Sequence, residues 1–521
     1  MRSTGEPSSE RQRRRMHLLL LLLLALAVRA PFFFSAVVDW DESTYILLGQ
    51  DLLDGHLPGT NLVDHNPLVY VAYAGFLLVF GKSVMAVRMG GLLCVYAAAG
   101  VLYELGARIR GKAAGFFAGA WLIIGSTTLS RSGGATMTEH VALLPLSMLV
   151  FALLAGAQSA RRIFLMGLAA GFAGLIRANL FYLGPALALI VLAEERAGGA
   201  KRVIGREALL LLGGLTPVAA LAAVYLVAGD FDVFVTVSFK EAAAYSAAAG
   251  SIGRRLGLTA RLVTHSLSCG GTAIWIAFIC GVTHMWVRRR ETAEPRHAAA
   301  LLTLFGFCLW SIMDTGPYFS HYLMQLLPFM CVPGGAWLAS LCAGRDRVAM
   351  TLAGLLLLSP IHPVLNATSM LVTKIRSGRG LYSDRAYRIA EYLNKRDVEG
   401  EYVLFLVDHI GYWLTGAKLP TRHAHPSNLG KPESLSVYDE WEEGSLTREI
   451  GRALAKRPVY IVWKPDSRVF PLPVKDLVAR QIRKHYVLAA RIDRAEICRR
   501  KDFRPGAIDV KLHRLFRAPL P

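Results

Sequence analysis

Long apolar blocks alternate with short polar breaks over most of this 521-residue chain, and the pattern changes only in the last third. A bilayer core takes about 20 mostly apolar residues per helix. Blocks of that kind lie at 17–37, 84–107, 113–130, 139–157, 163–178, 180–193, 208–229, 266–287, 298–313, 323–342 and 348–368. They predict an α-helical multipass membrane protein with about 11 transmembrane helices. The pair 163–178 and 180–193 is short and reads either as two full spans or as a re-entrant hairpin. Beyond residue 372 the periods shorten. Tyr387 to Leu393, Leu446 to Leu454 and Val474 to Ile482 repeat as helices do. Tyr402 to Val407, Val459 to Trp463 and Val487 to Ile492 are rich in Val, Ile and Tyr and predict strands. Helices alternating with strands predict a small C-terminal α/β domain. The expected organisation is a basic tail over 1–16, a transmembrane domain over 17–372 with a first outer loop over 38–83, and the α/β domain over 373–521.

Charge assigns sides to these blocks, because Lys and Arg resist translocation. Arg11, Arg13, Arg14 and Arg15 precede the first block. Every second connection after it is basic: Arg108, Arg110 and Lys112, then Arg161-Arg162, then Arg196 to Arg206, then Arg288-Arg289-Arg290, then Arg345 and Arg347. By contrast, Ala30 to Gly81 and Asp314 to Tyr322 contain no Lys or Arg. The loop 230–265 departs mildly, with Lys240, Arg254, Arg255 and Arg261. The N-terminus is therefore expected in the cytoplasm and residues 373–521 outside it. The first block also resembles a signal peptide, but Ala27-Val28-Arg29-Ala30 followed by Pro31 is a poor cleavage site, so it is expected to stay attached. Either outcome leaves the next loop outside.

Composition narrows the class further. The chain is 54% hydrophobic and 18% charged. Soluble domains average about 45–50% apolar and 25% charged residues, so neither a soluble protein nor a disordered one fits. The formal charge of +20 does not ask for nucleic acid. Much of the basic excess anchors the cytoplasmic ends of spans, and the rest lies beyond residue 372, where 29 Lys and Arg face 18 Asp and Glu. That outer excess is a solvated basic surface, or a match for an anionic acceptor or anionic lipid headgroups. Six of the seven cysteines lie in apolar blocks, only Cys498 lies in a polar stretch, and no CxxC or zinc-type spacing occurs. Neither a disulfide framework nor a structural metal is expected. Ala- and Gly-rich spans with Arg preferred to Lys suggest a bacterial source, hence the inner (cytoplasmic) membrane and a periplasmic outer domain.

The candidate chemistry stands in the basic-free segments. Asp39-Trp40-Asp41-Glu42-Ser43-Thr44-Tyr45 is followed some twenty residues on by Asp64-His65-Asn66-Pro67. Crowded carboxylates at a membrane surface raise one another's pKa, which favours a general base near neutral pH. A plain solvated acidic loop has the same composition. Glu139 opens the fourth block, where the helix dipole favours a carboxylate. Arg177 sits where the short hairpin turns, either as a functional intramembrane charge or as a snorkelling side chain. His321 and Tyr322 cap the tenth block. The charge-derived topology puts all of these at the outer face.

A family resemblance sharpens this reading. Asp41-Glu42-Ser43-Thr44-Tyr45, Asp64-His65-Asn66-Pro67-Leu68, Phe80-Gly81 and Arg88 resemble the first outer loop of membrane glycosyltransferases of the protein O-mannosyltransferase and aminoarabinose-transferase type, with the GT-C fold. The resemblance extends to Thr138-Glu139, to His321-Tyr322 with Pro328, and to Tyr412-Trp413-Leu414-Thr415-Gly416 with Thr421-Arg422. There are departures: the family's doubled proline is Asn66-Pro67 here, and the preceding basic residue is His65 instead of Lys. The resemblance implies a polyprenyl-phosphate sugar as donor, an extracytoplasmic acceptor (lipid, glycan or protein) and an inverting displacement. It casts Asp41 as general base, with Glu42 as second candidate. Glu139 and Asp64 would position the acceptor or a divalent cation, which is optional and not an obligatory cofactor. His65, Arg177, His321 and Tyr322 would serve the donor phosphate or leaving group. A transporter or glycolipid flippase would instead place polar groups at mid-bilayer in repeated halves, and no repeat is seen. A non-catalytic scaffold would not need the Asp-Glu loop.

Overall fold

The computed structural model of the chain describes residues 8–130, 132–156, 159–287, 294–315, 319–344, 346–378, 380–438 and 447–505. The first part of the basic tail, Arg288-Arg289-Arg290 and Arg345 lie outside the described residues. The chain forms two compact units. The first comprises Met1–Phe32, Gly90–Val224 and Ala249–Ser369; the second comprises Phe33–Met89, Tyr225–Ala248 and Met370–Pro521.

The first unit is helical. Among the described residues of the whole chain, seven helices are long and apolar enough to cross a bilayer: Ser9–Phe32, Val84–Arg110, Ala178–Gly198, Ala200–Ala228, Arg296–Asp314, Ser320–Cys342 and Arg347–Arg376. The other four expected blocks form the shorter helices Lys112–Thr128, Thr138–Leu154, Ala160–Ile176 and Thr272–Val287. At about 1.5 Å per residue these span less than a hydrocarbon core of about 30 Å. The 163–193 region is two helices broken at Arg177, whose backbone is extended (φ −141°, ψ 109°). Small residues set the packing distance between helices, as expected where apolar tails compete with apolar side chains. Gly167 and Gly171, one turn apart, face the carbonyls of Leu210 and Gly214 on the neighbouring helix so closely that a Cβ on either would collide with them.

The second unit carries the sheet, in the order β1 (Val403–Phe405), β2 (Tyr460–Trp463), β4 (Ala495–Arg500), β3 (Tyr486–Ile492). β1 runs parallel to β2, while β4 is antiparallel to both β2 and β3. Three of these strands were expected. β4 was not, because Glu496, Arg499 and Arg500 mask its pattern. Its hairpin turns at Asp493 (φ 43°) and Arg494 (φ 65°), two left-handed residues joined without the glycine that advertises such turns. β4 also buries Cys498, the one cysteine in a polar stretch.

Side chains alternate into two layers, as a sheet covered on both faces requires. Val403, Phe405, Tyr460, Val462 and Ile497 share one cluster with Leu47, Leu48, Leu62 and Tyr70. Leu404, Ile461 and Cys498 face the helices Arg448–Ala455 and Leu472–His485. Residues from the loop after the first span therefore complete the core of the C-terminal sheet. That loop is itself largely helical, in Trp40–Leu53 and Pro67–Phe80, each 14 residues and too short to cross a bilayer. Asp39 caps the first by accepting from the Asp41 N–H (2.9 Å), and Pro67 opens the second, where its fixed φ costs nothing.

Candidate active site

In the second unit the start of helix Trp40–Leu53 separates the two leading carboxylates. Glu42 is buried, 1% exposed, and meets Arg88 in a two-pronged pair, Nε to Oε1 at 3.2 Å and Nη2 to Oε2 at 2.7 Å. Arg88, also fully buried, donates its remaining arm to the Ser35 carbonyl (2.6 Å). The step of about 100° between adjacent helical residues puts the neighbouring Asp41 side chain on another face, 26% exposed, where its Oδ1 lies 3.3 Å from His425 Nε2. Trp40 turns its ring toward both His409 and His425, each 6.0 Å away between centroids. His409 Nε2 pairs with Thr44 Oγ1 (2.9 Å). Burial, and then the neighbouring His425, hold the His409 imidazole well below its usual pKa, so it stays neutral at neutral pH.

Asp64 ties two distant segments together. Its Oδ2 accepts from the His425 N–H and its Oδ1 from Asn428 Nδ2, both at 2.6 Å, with His423 Nδ1 at 3.5 Å. Beside it, Val63 bridges to His423. Asp64 holds φ at 144°, a backbone region that side chains rarely adopt, and these contacts keep it there. His65 is half-buried with its ring edge-on to Tyr45 at 4.7 Å. Nearby, Glu241 accepts from Tyr438 Oη (3.0 Å). Burial first, and the charge of Asp64 second, push its carboxyl up to about 8.

The first unit assembles a second group. Glu139, fully buried at the start of Thr138–Leu154, forms an ion pair with Arg177, and His321 Nε2 lies 3.9 Å from its Oε1. Arg177 also donates to Thr138 Oγ1 (2.7 Å) and lies over the Tyr322 ring, 4.4 Å from its centroid. His321 stacks on Phe319 (5.5 Å). Next to these, Asn179 donates to Ser311 and Gln325 at 3.0 and 2.9 Å.

Of the residues singled out in the sequence, Glu139, Arg177, His321 and Tyr322 thus come together in one unit. Asp41, Glu42, Asp64 and His65 lie in the other, where His425 meets Asp41 through its ring and Asp64 through its N–H, Arg88 holds Glu42, and His65 packs on Tyr45. The sequence reading missed His409, His423, His425, Asn428, Glu241 and Tyr438, and it quoted Arg88 without a role. A signal for two of them was present: two of the chain's fourteen histidines stand two apart, directly after Thr421-Arg422. Nothing local tied them to carboxylates more than 350 residues earlier. Among the described residues no group of three or more His, Cys, Asp or Glu side chains is arranged to hold a metal ion.

Comparison with known proteins gives this arrangement a context. The family model for dolichyl-phosphate-mannose-protein mannosyltransferases matches residues 64–226. No curated protein sequence matches the chain. Among solved structures, ArnT from Cupriavidus metallidurans in the apo state is similar over 94% of this chain and 98% of its own, at 13% identity and a TM-score of 0.60. The same protein bound to undecaprenyl phosphate is similar over 92% of this chain and 97% of its own, at 14% identity and a TM-score of 0.59. The Archaeoglobus fulgidus oligosaccharyltransferase in its apo form is similar over 88% of this chain and 70% of its own, at 12% identity and a TM-score of 0.50. The chain is a multipass membrane protein with an ArnT-like GT-C fold, as the sequence led one to expect.

Proposed function

We propose that the chain is an integral-membrane glycosyltransferase that moves a hexose or pentose from a polyprenyl-phosphate donor to an extracytoplasmic lipid, glycan or protein acceptor. The observation that carries this is the partly exposed Asp41 carboxylate, at the start of a helix in a segment free of Lys and Arg, within a fold similar to that of ArnT solved with undecaprenyl phosphate. In the reaction, Asp41 takes the proton of the acceptor hydroxyl as its oxygen attacks the anomeric carbon. The bond from that carbon to the phosphate oxygen breaks with inversion, and the polyprenyl phosphate leaves with the electron pair. Glu42 is unsuited to this task because Arg88 occupies its carboxylate and no solvent reaches it. Asp64 is occupied in the same sense and holds the turn that carries His425.

The group of Glu139, Arg177, His321 and Tyr322 is the second set proposed to serve the reaction, on the acceptor or on the donor phosphate, with His65 a further candidate for the phosphate. Arg177 already pairs with the buried Glu139 carboxylate. The charge alternation supports a cytoplasmic N-terminus, with residues 38–83 and 373–521 on the periplasmic side of a bacterial inner membrane.

The test does not require knowing the sugar. A strain lacking the gene is complemented with wild type, Asp41→Asn or Glu42→Gln, and polyprenyl-phosphate sugars in its membranes are measured by mass spectrometry. Wild type clears an accumulated donor, while Asp41→Asn, present at the same level, slows clearance by roughly 10²–10⁴-fold, the usual worth of a general base. Clearance by Asp41→Asn at the wild-type rate would end the base assignment, and no accumulated donor in the empty strain would end the transferase reading.

A further inference from the structure

His425 touches Asp41 from a turn that fixes its proton. A backbone N–H can only donate, and that of Ser427 reaches His425 Nδ1 at 3.2 Å, with Ser427 Oγ 2.7 Å from the same atom. Nδ1 is therefore the acceptor side of the ring, and a neutral imidazole has one N–H, so the proton is on Nε2. Nε2 is the atom that stands 3.3 Å from Asp41 Oδ1. That distance lies just beyond the usual N–H···O range of about 2.7–3.2 Å, and contacts between catalytic groups commonly tighten when substrate binds.

The ring has little freedom to turn. His425 is the N-cap of the short 3-10 turn Pro426–Gly430, with Pro426 fixing the next φ. Asp64 grips that turn at both the His425 N–H and the Asn428 amide. The His409 ring packs against His425 with centroids 5.3 Å apart. The charged and titratable groups facing the imidazole are Asp41, Asp64 and the neutral His409, with Asp39 at the cap of the Asp41 helix. Asp408 beside His409 is neutralised by Arg385, at 2.6 and 3.0 Å.

We infer that His425 is a positioning residue: its Nε2–H, aimed by the Asp64-held turn, orients the Asp41 carboxylate toward the acceptor hydroxyl. This rests on Asp41 being the base. It extends that reading by assigning a part of the C-terminal region, 384 residues further along the chain, to the alignment of the catalytic group. A neutral donor suits the task, since it leaves the carboxylate basic while removing its rotational freedom.

The test uses the purified full-length chain with ¹⁵N-histidine and the variants His425→Gln, His425→Ala and Asp41→Asn. Imidazole ¹⁵N spectra, with the His425 signal assigned by its loss in His425→Gln, are expected to show the Nε2–H tautomer and a shift of that signal in Asp41→Asn. An Nδ1–H tautomer, or a signal indifferent to Asp41→Asn, overturns the contact without reference to any reaction. Donor clearance supplies the functional arm. His425→Ala is expected to lose tenfold to a hundredfold in rate with the donor concentration for half-maximal rate changed less than about twofold. The acid limb of its pH profile should move upward, because a carboxylate deprived of a donor protonates more readily. His425→Gln, which retains an N–H, recovers most of the rate. If Asp41→Asn is inactive while His425→Ala keeps the wild-type rate and profile, the positioning role falls and the transferase reading stands. If Asp41→Asn is active, the base assignment falls, whatever the spectra show.

Discussion

Breaking the Arg88–Glu42 pair tests whether Glu42 is a structural carboxylate. Arg88→Met removes a fully buried guanidinium that makes two contacts to Glu42 and one to the Ser35 carbonyl. It leaves a buried carboxylate with no compensating charge at that contact, a loss of about 3–5 kcal/mol. In a folding unit of 150–250 residues each kcal/mol is worth roughly 2–4 °C, so the apparent midpoint should fall by roughly 6–20 °C. Glu42→Leu should do the same, stranding Arg88. The double variant Glu42→Leu/Arg88→Met removes both charges together, and it should recover most of the loss, since apolar replacement of a whole buried pair is often neutral. The assay is retention of the monodisperse peak after heating detergent-solubilised protein at a fixed rate, which suits a membrane protein that unfolds irreversibly. Asp41→Asn is the control: its partly exposed side chain should leave the midpoint within about 1–2 °C, in keeping with surface substitutions. A midpoint for Arg88→Met equal to wild type, or a double variant whose loss is the sum of the singles, would refute the reasoning.

Other expectations follow from the neighbouring contacts. Asp64→Ala strands the His425 N–H and the Asn428 amide, at about 1–3 kcal/mol for each buried donor, while Asp64→Asn keeps an acceptor and should cost less. Heating curves in which the Asn variant is the weaker of the two would contradict this. Glu241 gives a pH dependence whose sign is fixed. Its carboxyl is raised from an ordinary 4.5 to about 8, so between those values the folded chain holds a proton that the unfolded chain has lost. This contribution to stability is fully present below pH 4.5 and is lost as pH rises through about 8, by a few kcal/mol at most. Glu241→Gln should flatten the slope of apparent midpoint against pH over that window, and identical slopes for variant and wild type would argue against a buried protonated carboxyl.

The fold was largely legible because the bilayer imposes its own length scale. Each of the eleven apolar blocks coincides with a helix, since a backbone in hydrocarbon has few other ways to satisfy its polar groups. Block reading overstated length at Lys112–Thr128, Thr138–Leu154 and Thr272–Val287, which are 16 or 17 residues each, while the short block 163–178 is matched by the 17-residue helix Ala160–Ile176. The three strands with Val, Ile and Tyr were legible too. β4 was not, because its inward residues Ile497 and Cys498 are flanked by charges that lie at the sheet surface.

The candidate site divides more sharply. Sequence alone could mark the basic-free interval from Ala30 to Gly81 and the carboxylates within it, because sidedness and composition are local properties. The family resemblance put Asp41 ahead of Glu42, but nothing local separates two carboxylates that are adjacent in the chain and chemically alike. The tertiary structure separates their surroundings: one residue of helical rotation turns Glu42 into a buried pair with Arg88 and leaves Asp41 partly exposed beside His425. Nor could sequence connect Asp64 to His425 and Asn428, because such contacts depend on how the sheet core closes over the helices of the first loop. The membrane class and the carboxylates of the first loop were written in local patterns. The contacts of Asp41 and Asp64 with the His425 turn exist only once segments hundreds of residues apart share one core.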